Sequence, residues 1–539
     1  MSLGQREYDN FVKNCLPPSH EWPEFLFNLP ELQFSDNLNA TTELLDKAVL
    51  EGFGNQLAII GSDTQWTYLE LQRTVNQICH VLTKDQSFHP GNRVLLRGSN
   101  SPWLAACWLA VFKAGGVAVG TMPLLRQKEL TEIVQIAKIS HAFCEEALKD
   151  ELLLTQQNSI FLKHTSFYGK NSALENQIKD QPIHFDAYNC RSDDPALIGF
   201  TSGTTGTPKG TIHFHRDVMA MCEIFPRYCL KPSSKDIFIG TPPLAFTFGL
   251  GGLLCFPLWA RATTVLIEKL NPELLLKVIE KYQATICFTS PTGYRSMTQL
   301  VHQDQISSLK KCVSAGEALP MDTRKSWKIA SGLDIYDGIG GTEMIHIYIA
   351  SAPENYREGS IGQVLPGYLA KIVNEDMQEV PTGEVGKLAI KGPTGCRYLA
   401  DQRQTHYVQH TWNLPGDMFH QDKDGYFYYH ARIDDMIVTS GYNVSSPEVE
   451  WALLENLAVA ECAVIGVPDQ QRGQIIKAFV VLKPGFVGDQ KMTSELQNYV
   501  KAKIAPYKYP REIDYLNVLP RTETGKLQRF RLKKMDHKS

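Results

Sequence analysis

The sequence predicts an α/β chain: a large N-terminal domain of parallel βαβ subdomains with a small β-rich subdomain, then a small α+β C-terminal domain. Three observations carry this. Apolar strand-like runs alternate with helical runs through the first two thirds. Short strands between Gly, Pro and Asp turns follow Tyr368, and a compact helix–strand pattern follows Arg432. At 539 residues the chain is also too long for one ordinary domain.

Each element has a local reason. Val94–Leu96, Trp103–Lys113 and Gly116–Pro123 read strand, helix, strand. A helix between two apolar strands implies a right-handed crossover and a mostly parallel sheet. Pro195–Phe200 reads as a buried strand. Asp236–Gly240, Thr263–Ile267 and Ala284–Phe288 read as further strands, with a helix over Pro272–Tyr282. Asn271 caps that helix and Pro272 suits its first turn. The apolar stretches Trp103–Phe112 and Phe248–Leu258 fall short of the ~20 residues that span a bilayer, so both read as core. Ala370–Val373, Gly386–Lys391 and Gly425–Tyr429 form the β-rich part. Pro447–Leu454 and Met492–Ile504 read as helices, Val459–Val467 and Ile475–Leu482 as strands. A boundary at Ile433–Asp435 divides the chain into domains 1–432 and 433–539.

Composition narrows the function. With 43% hydrophobic and 21% charged residues the chain is globular. A net charge of −4 argues against bulk nucleic-acid binding. The terminal basic run (Lys526, Arg529, Arg531, Lys533, Lys534) reads as a solvated helix face. Twelve scattered cysteines without a C-x-x-C pair, and an N-terminus without a signal-like apolar core, predict free thiols and a cytoplasmic protein without a membrane span. His213 and His215 flank Phe214 without a visible ligand cluster and read as strand histidines.

Thr201–Gly210 reads T-S-G-T-T-G-T-P-K-G: three glycines, four threonines, one serine and one lysine in ten residues. Glycines let backbone N–H groups turn toward a ligand, hydroxyls add donors, and Lys209 adds charge, which suits nucleotide phosphates. It is not a Walker A loop. Four more segments follow in order: Gly340-Gly-Thr-Glu343, Trp412–Asp417, Ala431–Ile437 continued by Gly441–Glu448, and Thr524-Gly-Lys-Leu527. Together they resemble the adenylate-forming superfamily of acyl-CoA synthetases, luciferases and peptide-synthetase adenylation domains.

The resemblance implies that a carboxylate is joined to the α-phosphate of ATP and pyrophosphate is released, with Mg²⁺ and then coenzyme A taking part. Thr201, Ser202, Gly203, Thr204, Thr205 and Lys209 are then the phosphate cradle. Glu343 holds Mg²⁺ and Thr342 a phosphate oxygen. Asp417 and Arg432 hold the ribose, while Gly316-Glu317-Ala318 and Asp337-Gly338-Ile339-Gly340 flank adenine. Lys526 is the catalytic lysine, carried on a mobile C-terminal domain, and Asp434 is its hinge. Pro415 and Ala431 depart from the pattern, which usually has Thr and Gly there; neither change touches the Asp417 carboxylate or the Arg432 guanidinium.

Pro242–Gly251, Ser314–Pro320 and Asp337–His346 resemble the acid-pocket segments of benzoate and 2-aminobenzoate CoA ligases, as does Asn14–Glu24. Phe246, Thr247, Phe248, Gly249, Ala315 and His346 are the expected acid-binding residues, and the expected substrate is an aromatic acid. Phe246 and Phe248 read equally as core packing. A medium-chain acyl-CoA synthetase, an enzyme loading a carrier protein, and a catalytically dead nucleotide binder stay open. The chain is expected to act as a monomer or homodimer.

Overall fold

The computed structural model describes residues 6–85, 88–169, 172–201, 208–439, 442–469, 472–521 and 527–536. The chain forms two compact units, Met1–Ala370 with Ile390–Pro415, and Lys371–Ala389 with Gly416–Ser539.

In the first unit the buried helix Pro102–Lys113 explains the first sheet. Ser101 caps it, its hydroxyl accepting from the Leu104 N–H at 3.3 Å, and Pro102 fixes the first turn. Every residue but Trp103 is buried, as expected of a helix apolar on all sides. It connects strands Arg93–Arg97 and Val117–Thr121, which pair in parallel. The six-stranded sheet runs His164–Tyr168, His141–Glu145, Arg93–Arg97, Val117–Thr121, Pro195–Thr201, Lys209–Phe214. Only the last pairing is antiparallel; its register sets Gly199 against Thr211 and Thr201 against Lys209. Leu95, Val119, Val134, Ile198 and Ile212 belong to the core on this sheet.

The second sheet has nine strands, in the order Gln363–Val364, Ile347–Ser351, Ile335–Gly340, Lys311–Ser314, Ile286–Thr289, Ile237–Gly240, Thr263–Val265, Leu57–Ile60, Gln65–Thr67. Its centre is parallel, and antiparallel strands close both edges. Helix Pro272–Tyr282 forms as the sequence predicts, the Asn271 side chain accepting from the Leu274 N–H at 2.8 Å. The apolar stretch Phe248–Leu258 falls in a helical run, Thr247–Leu250, Gly251–Cys255 and Phe256–Trp259, with most side chains buried.

The second unit holds the hairpin Asp417–Gln421/Phe427–Arg432, with Gly386–Lys387 paired along Phe419–Met418. Its main sheet joins Tyr442–Ser445, Met436–Thr439, Gly473–Leu482, Val459–Asp469 and Glu512–Tyr515. Helices Ser446–Leu454 and Gln490–Lys503 bury Val449, Leu453, Leu496 and Val500 into its core. The unit divisions differ from the single boundary read at Ile433–Asp435. Pairing of Gly386 with Phe419, and of the Gly383 N–H with the Gln421 carbonyl at 2.9 Å, draws the ribbon at 371–389 and 416–432 into the second unit.

All twelve cysteines are free. Among the described residues no helix is long and apolar enough to cross a membrane. His213 lies on a strand as read, but His215 opens helix His215–Ile224. Its Nδ1 accepts from the Ala40 N–H at 3.2 Å, and burial pushes its pKa down to about 4.

Candidate active site

Thr342 and Glu343 open a short turn, Thr342–Met344, after strand Ile335–Gly340. The turn sits against the end of the first sheet, where Gly199 lets it approach: a Cβ there would lie 2.7 Å from Thr342 Cγ2. His213 Nε2 donates to the Thr342 carbonyl at 2.7 Å. On the following residue but two, Ile345, φ is +62°, a conformation costing a β-branched residue about 1–3 kcal/mol. The surrounding packing holds that strain in place.

Glu343 is buried and does not stand alone. Lys209 Nζ lies 3.2 Å from Glu343 Oε1, and the Tyr398 hydroxyl donates to the same oxygen at 2.7 Å. Lys209 also donates to the Tyr398 hydroxyl, and its ammonium lies 4.6 Å from the Tyr398 ring centre and 5.7 Å from that of Tyr407. Burial pushes the Glu343 carboxyl up, but the Lys209 charge and the Tyr398 hydrogen bond outweigh it and hold it below its ordinary value. Burial first, and then the Glu343 charge, push the Tyr398 phenol far above its ordinary value, so it stays a donor. Thr201 faces Lys209 across the hairpin, and its buried hydroxyl has no partner among the described residues. Ser202, Gly203, Thr204 and Thr205 lie outside the described residues.

On the other side of the turn His346 is buried in a nest of rings. Phe256, Phe225 and Phe248 lie 4.6, 5.6 and 5.9 Å away between ring centres, and Phe248 lies 5.5 Å from Phe288. Neither His346 nitrogen has a hydrogen-bond partner of proper geometry among the described residues. Burial pushes its pKa down to about 3, so the ring is neutral near pH 7. Phe246 stands half-buried just before helix Thr247–Leu250, which carries Thr247, Phe248 and Gly249. Thr247, Gly249 and Ala315 are buried.

The expected adenine segments lie at strand ends of the second sheet. Gly316 turns at φ +89°, Glu317 accepts from the Thr292 hydroxyl at 2.8 Å, and Ala318 is half-buried. Asp337, Gly338, Ile339 and Gly340 lie on strand Ile335–Gly340. Burial pushes the Asp337 carboxyl up to about 6, with Arg324 partly opposing. In the second unit, Asp417 and Arg432 are register partners, with Arg432 Nη1 3.3 Å from Asp417 Oδ1. Asp417 is buried while the Arg432 side chain is 55% exposed. Asp434 lies in the one-turn helix Ile433–Asp435. Lys526 lies outside the described residues.

Sequence reading missed Tyr398 and the pair Asp217–Arg397. Arg397 is fully buried, bonds Asp217, and stacks 3.9 Å from the Phe214 ring centre. His213 Nδ1 lies 3.6 Å from Asp217 Oδ2, so the pair backs the histidine that holds Thr342. Cys396–Leu399 reaches the hairpin through backbone bonds from Ile212 to Arg397 and from Leu399 to Gly210, both 2.8 Å. A tyrosine and an arginine side by side carry no motif that would have announced this.

An AMP-binding enzyme family model matches residues 46–398, and the C-terminal domain model of AMP-binding enzymes matches 448–526. The chain therefore belongs to the AMP-binding, adenylate-forming enzyme family. Among known proteins it is 33% identical to the benzoate–CoA ligase of Thauera aromatica, over 94% of this chain and 97% of that one. It is 31% identical to the mitochondrial acyl-coenzyme A synthetase ACSM3 of Homo sapiens, over 89% and 85%. Among solved structures, the anthranilate CoA ligase AuaEII in complex with anthranoyl-AMP matches at TM-score 0.89 and 31% identity, over 94% of this chain and 99% of that chain. The benzoate CoA ligase from Burkholderia xenovorans LB400 matches at 0.85 and 29%, over 92% and 99%. The α/β expectation is borne out.

Proposed function

We propose that the protein is an ATP-dependent aryl-CoA ligase acting on an aromatic acid of the benzoate or 2-aminobenzoate type. One observation carries the reading: the turn at Thr342–Glu343 joins a charged cluster around Lys209 to a ring-lined nest around His346. A planar acid seated between aromatic rings loses little conformational freedom, so the nest suits a ring better than a flexible chain. The likeness to benzoate and anthranilate CoA ligases supports the same reading.

In this reading a carboxylate oxygen of the acid attacks the α-phosphorus of ATP, and pyrophosphate leaves. The thiol of coenzyme A then attacks the acyl carbonyl and AMP leaves. Both first reactants are anions, so catalysis rests on placed positive charge and fixed donors. Thr201, Ser202, Gly203, Thr204, Thr205 and Lys209 take the β- and γ-phosphates, and Thr342 a phosphate oxygen. Asp417 accepts hydrogen bonds from the ribose hydroxyls beside Arg432, and Gly316–Ala318 and Asp337–Gly340 flank the base. Phe246, Thr247, Phe248, Gly249, Ala315 and His346 receive the acid. Lys526 neutralises charge on the α-phosphate and leaving group during adenylation.

Glu343 fits a Mg²⁺ ligand, being an ionised, buried carboxylate already held in place by Tyr398 and Lys209. Mg²⁺ is bound by one or two carboxylates together with substrate phosphates, and when bound it neutralises phosphate charge. We assign the hinge to Asp434, with a domain boundary there separating the two half-reactions. ATP–pyrophosphate exchange stimulated by benzoate-type acids tests the adenylating step, and coenzyme A set against a carrier protein tests the acceptor. Exchange with no acid of the panel would contradict the reading.

A further inference from the structure

Asn100 stands between strand Arg93–Arg97 of the first sheet and helix Pro102–Lys113 and belongs to none of the segments described above. Its side chain reaches the loop that follows strand Ile237–Gly240 of the second sheet. Asn100 Nδ2 donates to the Pro242 carbonyl at 2.9 Å, and Asn100 Oδ1 accepts from the Leu244 N–H at 2.8 Å. The amide is buried, and so is Leu244.

The loop needs this partner. Pro242 and Pro243 have no N–H and fixed φ, and the Pro243 carbonyl is already taken by the Phe246 N–H at 3.0 Å. Buried backbone groups require partners, and one amide two residues wide supplies both. The same loop rests on the first sheet at a second point. A Cβ at Gly120 would lie 2.9 Å from Ala245 Cα and 2.8 Å from Trp108. Three residues beyond Leu244, at Thr247, the helix bearing Thr247 and Phe248 begins. The position of Phe248 against His346 is therefore set from the first sheet.

We infer that Asn100 is a specificity-determining positioning residue: it clamps the Pro242–Leu244 turn and so fixes the wall of the acid pocket at Phe248. The inference rests on the reading of that wall as the acid pocket. Asn100→Ala removes the partner of the buried Leu244 N–H and of the half-buried Pro242 carbonyl, and the turn must shift to satisfy them.

The test is steady-state kinetics of the full-length enzyme with the benzoate-type acid it uses best, octanoate and ATP. Asn100→Ala is expected to raise KM for the aromatic acid about tenfold, with KM for ATP changed less than about twofold and kcat at saturating acid nearly kept. The preference for the aromatic acid over octanoate is expected to fall. Gly120→Ala keeps Asn100 but pushes Ala245, and is expected to give the same pattern; this arm decides the matter where Asn100→Ala does not fold. Equal rises in both KM values, or an unchanged acid KM in both variants, would overturn the inference. Phe248→Ala separates the two readings. If it raises the acid KM while Asn100→Ala and Gly120→Ala do not, only the clamp is wrong; if Phe248→Ala also leaves it unchanged, the pocket itself is wrong.

Discussion

Single side chains carry opposite burdens here. Glu343 is kept ionised although buried, because Lys209 and Tyr398 meet its carboxylate. Asp337 lacks enough such help, and burial lifts it to about 6. Its native form then holds a proton more tightly than an unfolded aspartate does. The stability it confers is present below about pH 4 and is lost as pH rises through about 6, at most about 3 kcal/mol in all. Asp337→Asn is thus expected to gain stability relative to wild type as pH rises from about 4 to about 6.5 in urea melts. A constant difference across that range would contradict the assignment. For Lys526 the expectation is kinetic. Lys526→Ala should slow adenylation roughly a hundredfold or more while sparing CoA transfer from a supplied acyl-adenylate. Single-turnover measurement of each half-reaction checks this, and equal damage to both counts against the role.

Among elements, the hairpin Pro195–Thr201/Lys209–Phe214 bears most of the site's framework. It presents Lys209 at one end, Gly199 beneath Thr342, and His213 to the Thr342 carbonyl. Behind it the Asp217–Arg397 pair is sealed from water. Removing one partner of such a pair leaves a buried charge, so Asp217→Ala should cost about 3–5 kcal/mol. A thermal melt little changed from wild type would show that the pair is dispensable. The hairpin's first strand was legible as an apolar run ahead of a Gly/Thr loop, and helix Pro272–Tyr282 from its cap and proline. The edge strands Gln363–Val364 and Gln65–Thr67 were not, because short antiparallel edges lack the long apolar runs of a parallel centre. Tyr398, Arg397 and Asn100 were illegible for a different reason: their partners lie 55, 180 and 142 residues away in sequence, and only the fold brings them together.

At the scale of the whole molecule, the proposed function needs two half-reactions served by one chain. Asp434→Pro fixes φ near about −65° at the proposed hinge and should hold one orientation. If that is the adenylating one, acyl-adenylate still forms and thioester synthesis fails; normal turnover would show that the hinge lies elsewhere. The motif order, spread over more than three hundred residues, made the family legible before any contact was known. The choice of acid was less legible, because the proposed pocket is built on a neutral His346 and rings that only the fold gathers around it. The most direct test of the central claim is kcat/KM for CoA thioester formation from 2-aminobenzoate, benzoate and octanoate. The two aromatic acids are expected to exceed octanoate, with benzoate weaker than 2-aminobenzoate by the roughly 1–3 kcal/mol of one hydrogen bond. A higher kcat/KM for octanoate would contradict it.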